Sequence, residues 1–191
     1  GSQEVLHGQM EDLRAALPQY ESIGVGRNDG KTGGEYAPIF YNKDRIRCLQ
    51  SGHFWLSETP EIVGSVGWDA KYTRICTWGR FKDKKTGKKF WMFNLHMDHR
   101  GVEARKQSAL LVMERIRMMC GKESYILLGD FNVDQFNPIY PMMMESGLFI
   151  DCFDAAQVRF APTGSMNYFK PDFKTDSRID HVLVSDDFEV L

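Results

Sequence analysis

The chain has 191 residues, of which 42% are hydrophobic, 13% aromatic and 26% charged, a balance typical of a folded globular domain rather than a disordered or fibrous chain. A chain of this length forms one domain with a sizeable core. No apolar run reaches the roughly 18 residues that a membrane-spanning helix needs. The formal net charge of −2 argues against a strongly basic nucleic-acid-binding protein and leaves room only for a local basic patch.

The four cysteines are scattered and form no C-x-x-C pair; they are Cys48, Cys76, Cys120 and Cys152. Free, buried thiols in a reducing compartment are the favoured interpretation, disulfides in an exported protein are the alternative, and a zinc site is least favoured. The sequence therefore does not decide between a cytoplasmic protein and an exported protein whose signal peptide has been removed. The sequence shows no internal repeat or Pro/Ser-rich linker and implies no protein partner, so we expect residues 1–191 to form a single domain.

The first half of the chain predicts a helix, a loop and a group of strands. Residues 9–17 have a helical pattern that a proline ends, and the glycine-rich residues 24–35 predict a loop. Residues 37–41 predict a short strand. Residues 75–81 and 90–96 are β-rich and are joined by a polar, lysine-rich segment with a glycine, which predicts a hairpin with a solvated turn.

The second half contains the clearest helix. Residues 103–120 carry apolar side chains at three- and four-residue spacing, which would form one buried face. The continuous apolar run at 125–129 is typical of a strand covered on both faces, and residues 179–184 predict a last strand. The methionines at 142–144 are interpreted as core filler. Together the elements predict an α/β protein in layers, with helices covering sheets.

Polar residues stand at the ends of three predicted strands, in residues 94–100, 130–132 and 178–181. Strand ends are where a rigid scaffold aims side chains into a cleft. These three segments are therefore the candidate functional site.

Asp130 and Asn132 form the first candidate pair. Two residues apart on an extended chain, they would point to the same side. A carboxylate there could accept a proton from water or hold a hard cation, and the amide could donate to an oxyanion. The alternative is an Asx-turn that closes the strand.

Two other carboxylates are ambiguous when taken alone. Glu4 lies just before the first helix, where it could favour the helix N-terminus or bind a metal ion. Asp180 stands near the core and needs a partner there. It could form a buried salt-bridge cluster with Arg178 and His181, or contribute to a site.

The segment after residue 95 places four polar side chains in five positions: His96, Asp98, His99 and Arg100. This density favours a site, although a single histidine after a strand is more often structural. Guanidinium groups match phosphate geometry, so arginines are candidate substrate contacts, with structural ion pairs as the alternative; they are Arg27, Arg74, Arg100 and Arg105. Aromatic residues that could stack on a base or sugar, or instead pack in the core or rim, are Tyr36, Trp68 and Tyr72.

The sequence contains no P-loop, zinc-protease, nucleophile-elbow or dinucleotide-binding motif. Oxygen ligands with histidines and without thiolates indicate Mg²⁺, with Mn²⁺ as the alternative, rather than structural zinc.

In their order along the chain, four motifs resemble the endonuclease/exonuclease/phosphatase superfamily, the deoxyribonuclease I-like group. The motifs are Gln3-Glu4, residues 93–99, residues 128–132 and residues 177–181. Residues 26–30 and 96–101 are similar to a bacterial branch of general family hydrolases. The resemblance covers nearly the whole chain.

The resemblance implies a four-layer α/β-sandwich, with two packed, mixed β-sheets and helices outside, and metal-dependent hydrolysis of phosphate esters. It implies that Glu4 holds Mg²⁺ and that Asp130 orients and deprotonates the attacking water. Asn132 would help to hold the scissile phosphate and His96 would contact a phosphate oxygen. Asp180 would orient a histidine that works opposite the metal. The remaining candidate substrate contacts are Arg27, Arg74, Asp98, His99 and Arg100.

The sequence departs from the family pattern at both ends. The family has a strand bearing an asparagine before the Gln-Glu motif and a Ser-Asp-His motif near its end, and the 191 residues contain neither. The chain is therefore expected to be truncated at both ends and weakly active or inactive alone. A noncatalytic phosphate-ligand-binding module on the same fold is the alternative function. The substrate stays open among nucleic acid, a phospholipid head group and a sugar phosphate.

Overall fold

The computed structural model describes residues 1–159 and 164–191. Its elements in chain order are α1 His7–Ala16, β1 Tyr20–Ile23, β2 Ile39–Asn42, β3 Ile46–Trp55, β4 Ile75–Asp83, β5 Lys89–His96, α2 Val102–Cys120, β6 Ser124–Asp130, α3 Ile139–Met144, β7 Ile150–Asp151, α4 Cys152–Ala155 and β8 Asp180–Val184. The predicted helices and strands are all present, with bounds shifted by a few residues. Strands β1, β3 and β7 and helices α3 and α4 were not predicted.

The strands form two sheets that pack in layers with the helices. The large sheet has the order β3-β4-β5-β6-β8-β7, and β1 and β2 form a separate antiparallel pair. Strands β5 and β6 run parallel because α2 crosses over between them, while the other neighbours are antiparallel. The layered α/β sandwich is thus confirmed, with one difference: only the large sheet is mixed.

One face of the large sheet is covered by α2 and α3. The predicted apolar face of α2 is confirmed, since Ala109, Val112 and Ile116 are buried there. They pack with Phe93 and Leu127 of the sheet in the main core. Each fully buried side chain of this kind contributes about 1.5–3 kcal/mol.

On the opposite face, the buried polar residue Asn94 on β5 binds the N-terminal segment and the residue just before β2. Its amide nitrogen donates to the backbone oxygens of Ser2, at 2.9 Å, and Pro38, at 2.8 Å. Its Oδ1 accepts from Nε2 of Gln3 at 2.6 Å. This residue therefore fixes the segment that carries Glu4.

The expectation that residues 125–129 are covered on both faces is wrong. Ile126 and Leu128 on β6 are only half-buried, and Val182 on β8 is 45% exposed. The reason is that β1 and β2 contact β4 of the large sheet, so the small sheet lies over the β4 side.

Arg178 and His181 belong to a buried ionic cluster. Arg178 Nη1 lies 3.1 Å from Asp151 Oδ2, and His181 Nδ1 lies 3.6 Å from the same oxygen. The hydroxyl of Tyr140 donates to it at 2.7 Å. The predicted buried salt-bridge cluster is thus confirmed for Arg178 and His181. Asp180 is not part of it, because it lies on the opposite face of β8.

All four cysteines are free thiols, two of them buried and two half-buried. Among the residues that the structure describes, no helix is both long and apolar enough to cross a membrane.

Candidate active site

A cleft of about 570 Å³ opens at the edge of the large sheet where β5 and β6 end. It is lined by Glu4, Arg27, Glu35, Tyr72, Arg74, His96, His99, Asp130, Asn132, Met166, Phe169 and Ile179. Most of the residues predicted from sequence meet here, although they come from segments far apart in the chain.

The parallel pairing of β5 and β6 brings His96 and Asp130 side by side. They are Cα partners at the ends of the two strands, and Nε2 of His96 lies 3.5 Å from Oδ2 of Asp130. Gly129 has φ +145°, and a Cβ on it would overlap the backbone oxygen of Leu95. Only glycine allows this close approach just before the catalytic candidate.

Burial sets the charges of this pair. It lowers the pKa of His96 to about 3, with the positive charges of Arg74 and Arg27 acting in the same direction. Burial also raises the pKa of Asp130 to about 6, and the nearby carboxylates of Asp180 and Glu4 add to this shift. At pH 7 the imidazole is therefore neutral and the carboxylate is ionised.

Asn132 reaches the cleft through a turn rather than along an extended strand. Its φ is +48°, and its backbone N–H donates to Oδ1 of Asp130 at 2.8 Å. Its side-chain nitrogen donates to the backbone oxygen of Met97 at 3.0 Å. The Asx-turn is thus confirmed, and Asn132 lines the cleft, but the expected extended backbone between Asp130 and Asn132 is wrong. The role of Asn132 in a functional site stays a prediction.

Two arginines line the cleft, Arg74 buried and Arg27 partly buried. Arg27 Nη1 lies 2.5 Å from Oε2 of Glu35, and Arg74 Nη2 lies 3.0 Å from Nδ1 of His99. Among the described residues, Nε of Arg27, Nη1 of Arg74 and Nδ1 of His96 are buried without a hydrogen-bond partner. Buried polar groups are normally paired, so these unpaired atoms beside the cleft are unusual.

Asp98 lies behind the cleft instead of lining it. It is 1% exposed, its Oδ1 lies 3.3 Å from Nε of Arg74, and its Oδ2 accepts from the backbone N–H groups of Arg100 and Gly101. Although burial opposes ionisation, these N–H groups and Arg74 lower its pKa to about 2. Asp98 was predicted to contact the substrate, but in the structure it holds the side chain of Arg74 instead.

The other polar residues near Asp98 in the chain have different positions relative to the cleft. His99 lines the cleft and stacks on Tyr72 with ring centroids 5.8 Å apart. Arg100 is exposed and is not part of the cleft lining. Arg105 donates to the backbone oxygen of Asp98 at 3.0 Å, which is a structural contact.

Asp180 lies next to the cleft on the neighbouring strand. It is the Cα partner of Asp130, is exposed, and lines a separate hollow that includes Gln3 and Leu128. His181 is buried on the opposite face, as predicted from the alternation of a strand.

Glu4 has a left-handed backbone, with φ +59°. Its negative charge helps to raise the pKa of Asp130. In the parts of the chain described, residues 1–159 and 164–191, no three His, Cys, Asp or Glu side chains form a metal-binding group. Mg²⁺ keeps several waters and needs only one or two protein carboxylates. The neighbouring negative charges of Glu4 and Asp130 fit such a cation, because it would relieve their repulsion.

Sequence reasoning missed four residues that line the cleft: Glu35, Met166, Phe169 and Ile179. Glu35 follows the glycine-rich loop and directly precedes the bridge residue Tyr36, which is a weak signal. Residues 166 and 169 lie in a long segment without regular structure, and no sequence pattern places them.

The fold and cleft together define a layered α/β protein with a polar site at the ends of parallel strands. The chain matches the Endonuclease/Exonuclease/phosphatase family over residues 3–191 and belongs to this family. The family predicted from the four motifs is thereby confirmed.

Solved structures of bacterial proteins are similar to this chain. One is described as a mannosyl-6-phosphatase, Bt3783, of Bacteroides thetaiotaomicron VPI-5482, with 47% identity and a TM-score of 0.93 over 98% of this chain and 70% of that one. Another is an endonuclease/exonuclease/phosphatase family protein from Bacteroides thetaiotaomicron, with 48% identity and a TM-score of 0.94 over 99% of this chain and 69% of that one.

A curated viral relative is also similar. The uncharacterized protein L388 of Acanthamoeba polyphaga mimivirus is 36% identical over 129 residues. The match covers 65% of this chain and 47% of that protein, so this chain corresponds to about half of the relative's length.

Proposed function

We propose that the protein hydrolyses phosphate esters with Mg²⁺, and that Asp130 activates the attacking water. The observation that carries the proposal is the convergence of an ionised, half-buried Asp130, a neutral His96 and the side chains of Arg27 and Arg74 in one cleft. Phosphoryl transfer requires mainly positioning and neutralisation of charge, and these groups supply both.

Each residue has a role that follows from its chemistry. Asp130 accepts a proton from water, and its pKa near 6 makes it a stronger base than an ordinary aspartate while it stays ionised at pH 7. Neutral His96 donates an N–H to a phosphate oxygen. The side-chain amide of Asn132 donates one hydrogen to the backbone oxygen of Met97. Its second hydrogen would donate to the phosphate.

Glu4 would hold Mg²⁺, whose contribution is to neutralise phosphate charge as a Lewis acid. Asp180, beside Asp130, adds negative charge to that side of the cleft. Its proposed role in orienting a histidine stays a prediction.

A monoester is favoured over a diester by the number of donors. A monoester presents three non-bridging oxygens and a diester two. The cleft offers donors for three oxygens, because His96, Asn132 and the side chains of Arg27 and Arg74 all line it. The 47% identical protein described as a mannosyl-6-phosphatase supports a sugar phosphate as the substrate.

The test is a hydrolysis panel with a hexose 6-phosphate, a phosphoinositide head group, sphingomyelin, RNA and plasmid DNA, each with Mg²⁺ and with EDTA. It is run on the 191-residue chain and on the protein with its native termini. We expect turnover of the hexose phosphate that EDTA abolishes and that Asp130→Asn reduces by about 10²–10⁴-fold. Asp44→Asn, in an exposed turn far from the cleft, is the control.

Turnover that persists in EDTA or in Asp130→Asn would contradict the mechanism. Tight binding of a phosphate ester without turnover in either form of the protein would favour the noncatalytic binding module instead.

A further inference from the structure

The cleft has two chemically different walls on opposite sides of the reactive pair. Arg74 directly precedes β4, His96 ends β5, Asp130 ends β6 and Ile179 directly precedes β8. These strands are consecutive neighbours in the sheet. At about 4.8 Å per strand, Arg74 and Ile179 stand roughly 14 Å apart, with the reactive pair between them.

The wall on the β8 side is apolar and consists of Met166, Phe169 and Ile179. Phe169 is 96% exposed, although a phenyl ring gains free energy when it leaves water. Together with Met166 and Ile179 it forms an apolar patch at the mouth of a polar cleft, and exposed patches of this kind mark ligand-binding surfaces.

The segment that carries this wall is tied down at its base. The hydroxyl oxygen of Ser165 accepts from the backbone N–H groups of Ile179 and Asp180 at 3.0 and 3.2 Å. Ser177 donates to Asp134 at 2.9 Å, two residues after Asn132. The apolar wall is thus anchored to the same strand ends that carry the reactive groups.

The tip of the segment has an uncommon backbone. Tyr168 and Phe169 are consecutive aromatic residues with φ of +52° and +57°, a region that bulky side chains rarely adopt. The N–H of Phe169 donates to Oδ1 of Asn167 at 3.0 Å, which helps to hold the turn. Such conformations cost free energy and cluster at ligand-binding positions.

We infer that Phe169, Met166 and Ile179 form a subsite for the organic part of the ester, and that this part is a ring with an apolar face, such as a sugar ring. The phosphate is held by the cationic wall and the reactive pair, so the carbon skeleton lies toward β8. The flat face of Phe169 selects a ring over an open chain. The other aromatic residue of the cleft, Tyr72, is already engaged, because His99 stacks on it and Lys71 Nζ lies 5.1 Å from its ring centroid.

The inference rests on the proposed hydrolysis and is tested by exchanging Phe169. Phe169→Asn removes the ring and keeps a residue that tolerates the left-handed backbone. Phe136→Ala is the matched control, because Phe136 is also largely exposed, at 73%, but does not line the cleft. KM and kcat are measured for a hexose 6-phosphate, a nucleoside 5′-monophosphate and glycerol 3-phosphate.

We expect Phe169→Asn to raise KM for the hexose phosphate by about tenfold or more, with kcat and the KM for glycerol phosphate nearly unchanged. Phe169→Tyr should restore the wild-type KM. A rise in KM for the nucleoside ester as well still supports ring recognition. Equal effects on all three esters, an effect on the nucleoside ester alone, or no effect would overturn the inference.

A binding measurement separates this inference from the proposed function. Calorimetry with hexose 6-phosphate is performed on Asp130→Asn with and without Phe169→Asn. If no ester is hydrolysed, the proposed function fails, while weaker binding in the double variant still supports the subsite. Equal binding by the two proteins overturns the subsite whatever the hydrolysis panel shows.

Discussion

The ion pair between Asp98 and Arg74 offers a direct test of how the cleft is supported. Asp98 is 1% and Arg74 4% exposed, and the carboxylate also accepts two backbone N–H groups. Asp98→Asn keeps the size and one oxygen but places an amide N–H₂ group against the guanidinium or against those N–H groups. We expect this substitution to leave the positive charge of Arg74 buried without its counter-ion.

The magnitude follows from the pKa of Asp98, which is about 2 in the folded protein. Against about 3.9 in an unfolded chain, this corresponds to about 2–3 kcal/mol of stability at pH 7. Loss of one partner of a buried pair costs about 3–5 kcal/mol, and the remaining bond from Arg74 to His99 reduces this. We therefore expect Asp98→Asn to lower the free energy of unfolding by about 3 kcal/mol.

The assay is urea unfolding at pH 7 and at pH 3. Because the folded pKa is depressed, the contribution is present above about pH 4 and is lost as pH falls toward 2, so the difference between wild type and variant should be about half as large at pH 3. Asp69→Asn is the control: Asp69 also accepts backbone N–H groups at the start of α2, from Glu103 and Ala104, but asparagine caps helices equally well. A difference below about 1 kcal/mol at pH 7, or one that does not depend on pH, would refute the reasoning.

Three further substitutions have defined outcomes. Gly129→Ala should lower the free energy of unfolding by about 3 kcal/mol or more, since the new Cβ would overlap the oxygen of Leu95; a small shift in thermal unfolding would contradict this. Asp130→Asn in EDTA should raise stability by about 2 kcal/mol at pH 8 and not at pH 4, because the raised pKa means that ionisation costs stability as pH rises through 6; equal thermal midpoints at pH 8 would contradict it. Asp151→Asn should cost about 3–5 kcal/mol in urea unfolding, because Arg178 would lose its buried partner; a cost below about 1 kcal/mol would show that the cluster is not what stabilises β8.

The parts of the fold that depend on local pattern were predictable. The three- and four-residue spacing in α2 identified its buried face, and the polar turn between two β-rich runs identified the β4–β5 hairpin. Strand β3 was not predicted because buried and exposed residues do not alternate along it. All of its residues from Ile46 to Gly52 are exposed or half-buried. A pattern of apolar positions carries little information for such a strand.

The candidate site was predictable where strands end and not where loops fold back. His96 and Asp130 stand at the ends of predicted strands, and parallel pairing brings them together. Asp98 was misplaced because a sequence cannot show which of several adjacent polar side chains turns inward. The place of Phe169 in the cleft was not predicted because it depends on hydrogen bonds of Ser165 to residues 179 and 180 and of Ser177 to Asp134, and a sequence pattern does not show such bonds.

The β4–β5 hairpin also indicates where the protein can be extended without harm. Its turn, residues 84–88, lies at the opposite end of β5 from His96, and eight residues of strand separate the two by about 24 Å. The turn is solvent-exposed at most positions, and such tips tolerate inserted residues. A fluorescent label or an affinity peptide inserted there would leave the cleft free for ligand.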